Sequence, residues 1–140
     1  MKSKIQNFVE IVESYVRTPF VHQGRQPGKG LDCVGVLVCA AHEAGLSDAD
    51  FIAYGEEPDG TLLRHLEPHL SRVADATRQP GDVLVLRYAQ EPTHVAVVTA
   101  VLPDGRLKVV HSLNREGVVM HHLDALWLRR IVGVYRFGEV

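Results

Sequence analysis

The hydrophobic period of this chain changes at Pro80, and no other feature constrains the fold as strongly. Upstream, Ile5, Phe8, Val9, Val12 and Val16 recur at helical spacing and predict an amphipathic helix over 4–17, stopped before Pro19. Downstream, β-branched and leucine-rich runs follow one another at 82–88, 94–101, 107–111, 117–121 and 131–137. Asp104-Gly105, between the second and third runs, is a hairpin signal. Helices followed by consecutive antiparallel strands define an α+β fold, here N-terminal helices on an antiparallel sheet of about five strands. The 140 residues contain no repeat, linker or low-complexity segment, so 1–140 is expected to be a single domain.

A second helix is predicted within GKGLDCVGVLVCAAHEAGL, residues 28–46. Asp32 can cap it, the run from Val34 to Ala44 is densely apolar, and Gly45 is a natural stop. Cys33 then lies in the first turn, at the positive end of the macrodipole and beside unpaired N–H groups. Both favour thiolate over thiol, and the thiolate is the nucleophile. Cys39 lies about 9 Å further along such a helix, beyond the roughly 7 Å that a disulfide can span. It is expected to be a small buried apolar residue. The segment HQGRQPGKG before the helix and YGEEPDG at 54–60 read as loops, and 61–70 as a short helix disturbed by Pro68.

Composition narrows the partners. A net charge of -2, with no basic block, argues against nucleic acid. The longest apolar run, around Cys33 to Ala41, is too short to cross a bilayer, and Glu10 and Glu13 interrupt the first helix, which is therefore not a secretory signal.

Eight histidines compete for the role of base. His94 opens one strand and His111 closes the next. A two-residue turn at Asp104-Gly105 pairs Pro103 with Arg106, which sets His111 opposite Val98 and His94 opposite Arg115. Both rings then share a face, about 13 Å apart along the strands, too far for a hydrogen bond unless a bulge shortens the span. Cysteine-based acyl transfer needs attack by Cys33, a proton taken and returned by His94, and a third group such as His111 to orient that ring. The Cys33 N–H is a natural oxyanion donor.

The other histidines have plainer roles. His65 and His69 lack the H-E-x-x-H order of a metal site and Pro68 spoils their geometry. His121 and His122 point to opposite faces of a strand. His42 is a helix-surface residue, and His22 lies in the loop before Cys33, where it lines the cleft or meets solvent. Trp127 is expected to pack against the sheet, and Asp82 to serve a turn.

The segments TPFVHQGRQPGKGLDCVG (18–35), QPGDVLVL (79–86), HVAVVTAV (94–101), VVHS (109–112) and RRIVGVYRF (129–137) carry a family likeness. In this order they resemble the NlpC-type cell-wall cysteine peptidases, bacterial papain-like enzymes, and especially their phage tail-associated branch. The resemblance implies a papain-like fold and hydrolysis of the peptidoglycan stem peptide, typically between D-glutamate and a diamino acid. It implies Cys33 as nucleophile, His94 as base and His111 as the third polar residue. Asp32, Phe20 and His22 fall at substrate-binding positions, Asp32 matching an acidic residue associated with recognising the substrate's amine. Phe20 stands where the family commonly has tyrosine, and Val34 where it often has serine or alanine; both departures bear on substrate preference and rate. No metal or organic cofactor is required.

The sequence leaves three rivals. The first is a tail protein that keeps the fold with little activity, to which Phe20 and Val34 lend weight. The second is a zinc site using Cys33, His94 and His111, and the third an acyltransferase sharing the thioester step. The resemblance further implies phage tail proteins as partners. It implies synthesis in a bacterial cytoplasm and delivery to the cell wall within a tail.

Overall fold

The computed structural model describes residues 2–50, 70–74, 76–88 and 91–138. Among them, the first elements are α1 (Lys4–Ser14), β1 (Arg25–Gln26), β2 (Gly30–Leu31) and α2 (Cys33–Ala44). Strands β3 (Ser71–Arg72), β4 (Val83–Tyr88), β5 (Glu91–Val101), β6 (Leu107–Leu113) and β7 (Gly117–His122) follow, then a short helix α3 (Ala125–Leu128) and β8 (Ile131–Arg136). The expected loop at 54–60 and, but for Leu70, the expected helix at 61–70, with His65, Pro68 and His69, lie outside the described residues.

Helix α1 starts at a capping box, in which the Ser3 hydroxyl accepts from the Gln6 N–H and the Gln6 side chain from the Ser3 N–H. It ends at Ser14, three residues before the expected limit. The reason is tertiary: the Arg17 N–H donates to the Val118 carbonyl at 2.9 Å, and Val118 N–H returns to Thr18 at 2.8 Å, so the chain leaves the helix to join β7. Helix α2 is capped by Asp32, whose side chain accepts from the Gly35 N–H, and stops at Gly45 in the left-handed region with φ 74°.

All strand pairs of the main sheet are antiparallel, in the order β3-β8-β4-β5-β6-β7. The sixth strand is β3, two residues pairing with the end of β8, too short to show a period in the sequence. Val83, Val85, Val95, Val97, Val110 and Val118 face α1 and α2, where Phe8 and Phe137 meet edge to face at 5.3 Å. Leu84, Leu86, Ala96, Val98, Val109 and Val134 form a second core on the opposite face, packed against Trp127 and Ile131. Burial on both faces explains why β4 reads as a continuous apolar run.

The β5–β6 hairpin departs from the expected register. Its turn has three central residues, with the Leu102 N–H bonded to the Arg106 carbonyl at 2.9 Å and Gly105 at φ 88°. Thr99 then bulges, the pairs running Ala100–Lys108 and Val98–Val109. Together the turn and the bulge advance His111 by two residues relative to His94.

The PGD motif does more than turn the chain. The Asp82 carboxylate accepts from the Gln79 N–H at 2.8 Å and is gripped by Arg136 at 2.7 and 3.0 Å. The start of β4 is thereby tied to the end of β8.

Candidate active site

Cys33 is delivered by a heavily cross-braced segment. Leu31 N–H donates to the Pro19 carbonyl at 3.0 Å, and the Leu31 carbonyl accepts from the Ser112 hydroxyl at 2.7 Å. Asp32 is buried and fully engaged by the protein: Oδ1 accepts from the Gly35 N–H at 2.8 Å and from Arg25 at 3.2 Å, Oδ2 from the Gln23 N–H at 2.8 Å. The Gly24 carbonyl rests against the Gly35 Cα so closely that any Cβ there would collide with it. That contact accounts for the glycine in the Asp-Cys-Val-Gly motif. Half-buried Phe20 and His22 flank Val21, whose N–H reaches the Leu31 carbonyl at 3.4 Å, so both lie beside the cysteine segment.

The backbone N–H groups of Val95, Val34 and Cys33 itself favour the charged form of the Cys33 thiol. Val95 directly follows His94. It also lies beyond the last β5–β6 pair, Val97–Val110.

On the other face the imidazoles are linked. His94 Nε2 and His111 Nδ1 are 2.7 Å apart, and His111 Nε2 and His121 Nε2 are also 2.7 Å apart. The bulge at Thr99 supplies the shortening that the two-residue turn would not have allowed. His94 and His111 are 5% and 1% exposed, and the Trp127 ring lies 5.2 to 6.3 Å from all three imidazole centroids. Trp127 is set by Asp124, which caps α3 and accepts the Trp127 N–H at 3.0 Å.

His121 joins this chain, although the sequence alone does not single it out. The signal was present in the β6–β7 register, where His111 pairs with Val119 and Val109 with His121, leaving the two histidines diagonal on one face. His42 is on the helix surface as expected, its Nε2 donating to the Ala49 carbonyl at 2.7 Å. Cys39 is half-buried, its thiol donating to the Arg25 carbonyl at 3.4 Å.

The expectation of a stabilised thiolate needs correction. Burial pushes the Cys33 thiol up to about 12, the neighbouring Asp32 carboxylate adds to that, and the three N–H groups offset only part of it. Burial, then the His111 charge, takes His94 down to about 3. Burial, then His121, takes His111 down to about 4. The resting groups are a neutral thiol and neutral rings. Modification of Cys33 by iodoacetamide, followed by peptide mass to separate it from Cys39, is therefore expected to keep accelerating with pH through the alkaline range. A rate already at its plateau near neutrality would show a resting thiolate–imidazolium pair instead.

Among the described residues, no group of three or more His, Cys, Asp or Glu side chains is placed to hold a metal ion. The 2.7 Å N···N separations point the same way. Two nitrogens bound tetrahedrally at 2.0–2.1 Å from zinc stand about 3.3 Å apart.

A cysteine at a braced helix start, beside a sheet that carries a buried histidine chain, is the arrangement expected of papain-like cysteine hydrolases. The chain belongs to the NlpC/P60 family, which it matches over residues 17–136. A Staphylococcus aureus protein described as similar to lipoprotein, NLP/P60 family, is 18% identical with a TM-score of 0.68, covering 98% of this chain and 42% of its own. The NlpC/p60 domain of the peptidoglycan hydrolase SagA is 17% identical with a TM-score of 0.63, covering 95% and 98%. A Bacillus cereus NLPC/P60 family protein is 17% identical with a TM-score of 0.70, covering 95% and 40%. This chain thus spans under half the length of two of these three. No curated protein matches it.

Proposed function

We propose that this protein is a cysteine endopeptidase that hydrolyses peptidoglycan stem peptides, cutting between D-glutamate and the diamino acid. Membership of the NlpC/P60 family supports the substrate class. The observation that carries the mechanism is the buried His94–His111 pair, one residue from Val95, whose backbone N–H favours the charged form of the Cys33 thiol. His94 Nε2 is engaged with His111, so Nδ1 is the nitrogen that takes the thiol proton as sulfur attacks the carbonyl carbon. The oxyanion forms beside the Cys33 N–H. Collapse to the thioester expels the amine, protonated by His94, and water activated at the same ring releases the acid. Asp32, with both oxygens held by the protein, acts on substrate through the shape of the loop it braces at Gln23 and Arg25, which follows Phe20 and His22 in the chain.

The setting we propose is a phage tail, in which the protein is made in the bacterial cytoplasm, assembled with tail proteins and used to open the wall. The motif order 18–137 and its likeness to the tail-associated branch support that finer reading. Incubating the protein with a synthetic stem tetrapeptide should yield two fragments split at the D-glutamyl bond, identified by mass. Intact peptide after prolonged incubation with stoichiometric enzyme would leave the structural tail protein as the better account, and a product trapped by an added amine in place of water would favour the acyltransferase.

A further inference from the structure

The proton order of the imidazole chain is set at its outer end. His121 Nδ1 lies 3.0 Å from the His122 carbonyl oxygen. A carbonyl only accepts, so Nδ1 carries the hydrogen, and in the neutral ring Nε2 is left as an acceptor. Its partner at 2.7 Å, His111 Nε2, must then donate, which leaves His111 Nδ1 as the acceptor. That atom takes a hydrogen from His94 Nε2, also 2.7 Å away. The sequence ends on an unprotonated His94 Nδ1.

We propose that His121 is a positioning residue: anchored on the His122 carbonyl, it orders the protons of a three-ring relay so that His94 presents an unprotonated Nδ1 to the thiol. The inference rests on the proposed Cys33–His94 pairing for its use, but not for its geometry. The two neutral tautomers of an imidazole differ little in intrinsic stability, so the hydrogen-bond partners decide between them. The reverse order would turn a His121 lone pair against the His122 oxygen. Burial of His94 and His111, with Trp127 beside all three rings, withholds water that would otherwise offer either ring nitrogen an alternative partner.

Long-range ¹⁵N–¹H correlation spectra of histidine-labelled protein at mildly alkaline pH read the tautomers directly. The expected pattern is Nε2–H on His94 and His111 and Nδ1–H on His121. A lysine at this position can only donate, so His121→Lys should reverse the order, move the His94 hydrogen to Nδ1 and lower kcat by about 10²-fold with little change in KM. His121→Gln offers a carbonyl to His111 and should keep the His94 and His111 tautomers. An Nδ1–H signal from His94 in the parent protein, or unaltered His94 and His111 tautomers in folded His121→Lys, overturns the proposal. The parent spectrum decides even if that variant does not fold. The expected tautomers in a protein without peptidase activity would sustain this inference and sink the proposed function alone.

Discussion

Cys33→Ala protein is expected to keep its fold and to lose stem-peptide hydrolysis by about 10⁴-fold or more. Alanine is well accepted in a first helical turn, and the Asp32 cap and Leu31 braces that shape the segment do not involve the sulfur. What disappears is the atom that forms the thioester, which the oxyanion donors cannot replace. His94→Ala should cost 10²- to 10⁴-fold, about the worth of a positioned general base. The two variants fail differently. Without the imidazole the thiol remains, so Cys33 can still be alkylated at high pH, whereas Cys33→Ala offers nothing there to label. Single-turnover hydrolysis alongside a thermal melt checks both. Cys33→Ala protein that cleaves within tenfold of the parent would remove the sulfur from the mechanism altogether.

The parts legible in the sequence were those fixed by local periodicity and capping. Helix α2 was readable from Asp32 to Gly45 because cap, apolar run and stop lie within a few residues of one another. Strands β4 to β8 were readable within two or three residues at each end, because turns separate their apolar runs. The pairing of His94 with His111 was not. A Thr99 bulge and a three-residue turn carry no strong local signature, yet they decide whether the rings are bonded or four residues apart. Strands β1 and β2 were missed within a loop rich in glycine, because two-residue strands have no period. The thiol's protonation is not legible in the sequence, because the helix terminus is visible there while desolvation around the sulfur depends on the whole fold. His121 was accessible in principle, through the β6–β7 register, but only once its neighbour was known to be His111.

Asp82 is the polar residue whose loss should unfold the protein most readily, although sequence marks it only as part of a turn. Asp82→Ala is expected to cost about 3 kcal/mol, the lower end of the range for breaking a buried ion pair. The carboxylate is 1% exposed while the Arg136 side chain is 30% exposed, so water reaches one partner and moderates the penalty. Two effects combine: the guanidinium loses a two-point partner, and the Gln79 N–H loses its acceptor at the entry to β4. Because β4 pairs with both β5 and β8 at the centre of the sheet, the damage is transmitted to cooperative unfolding rather than to a frayed edge. Urea unfolding should show a lowered midpoint at unchanged slope, and the melting temperature should fall by about 10 °C. Asp82→Asn keeps an acceptor for Gln79 and should lose clearly less. Equal losses in the two variants would mean that the charge on Arg136 needs its partner more than the turn needs its cap, and a loss below about 1 kcal/mol in both would place this pair among the screened surface bridges.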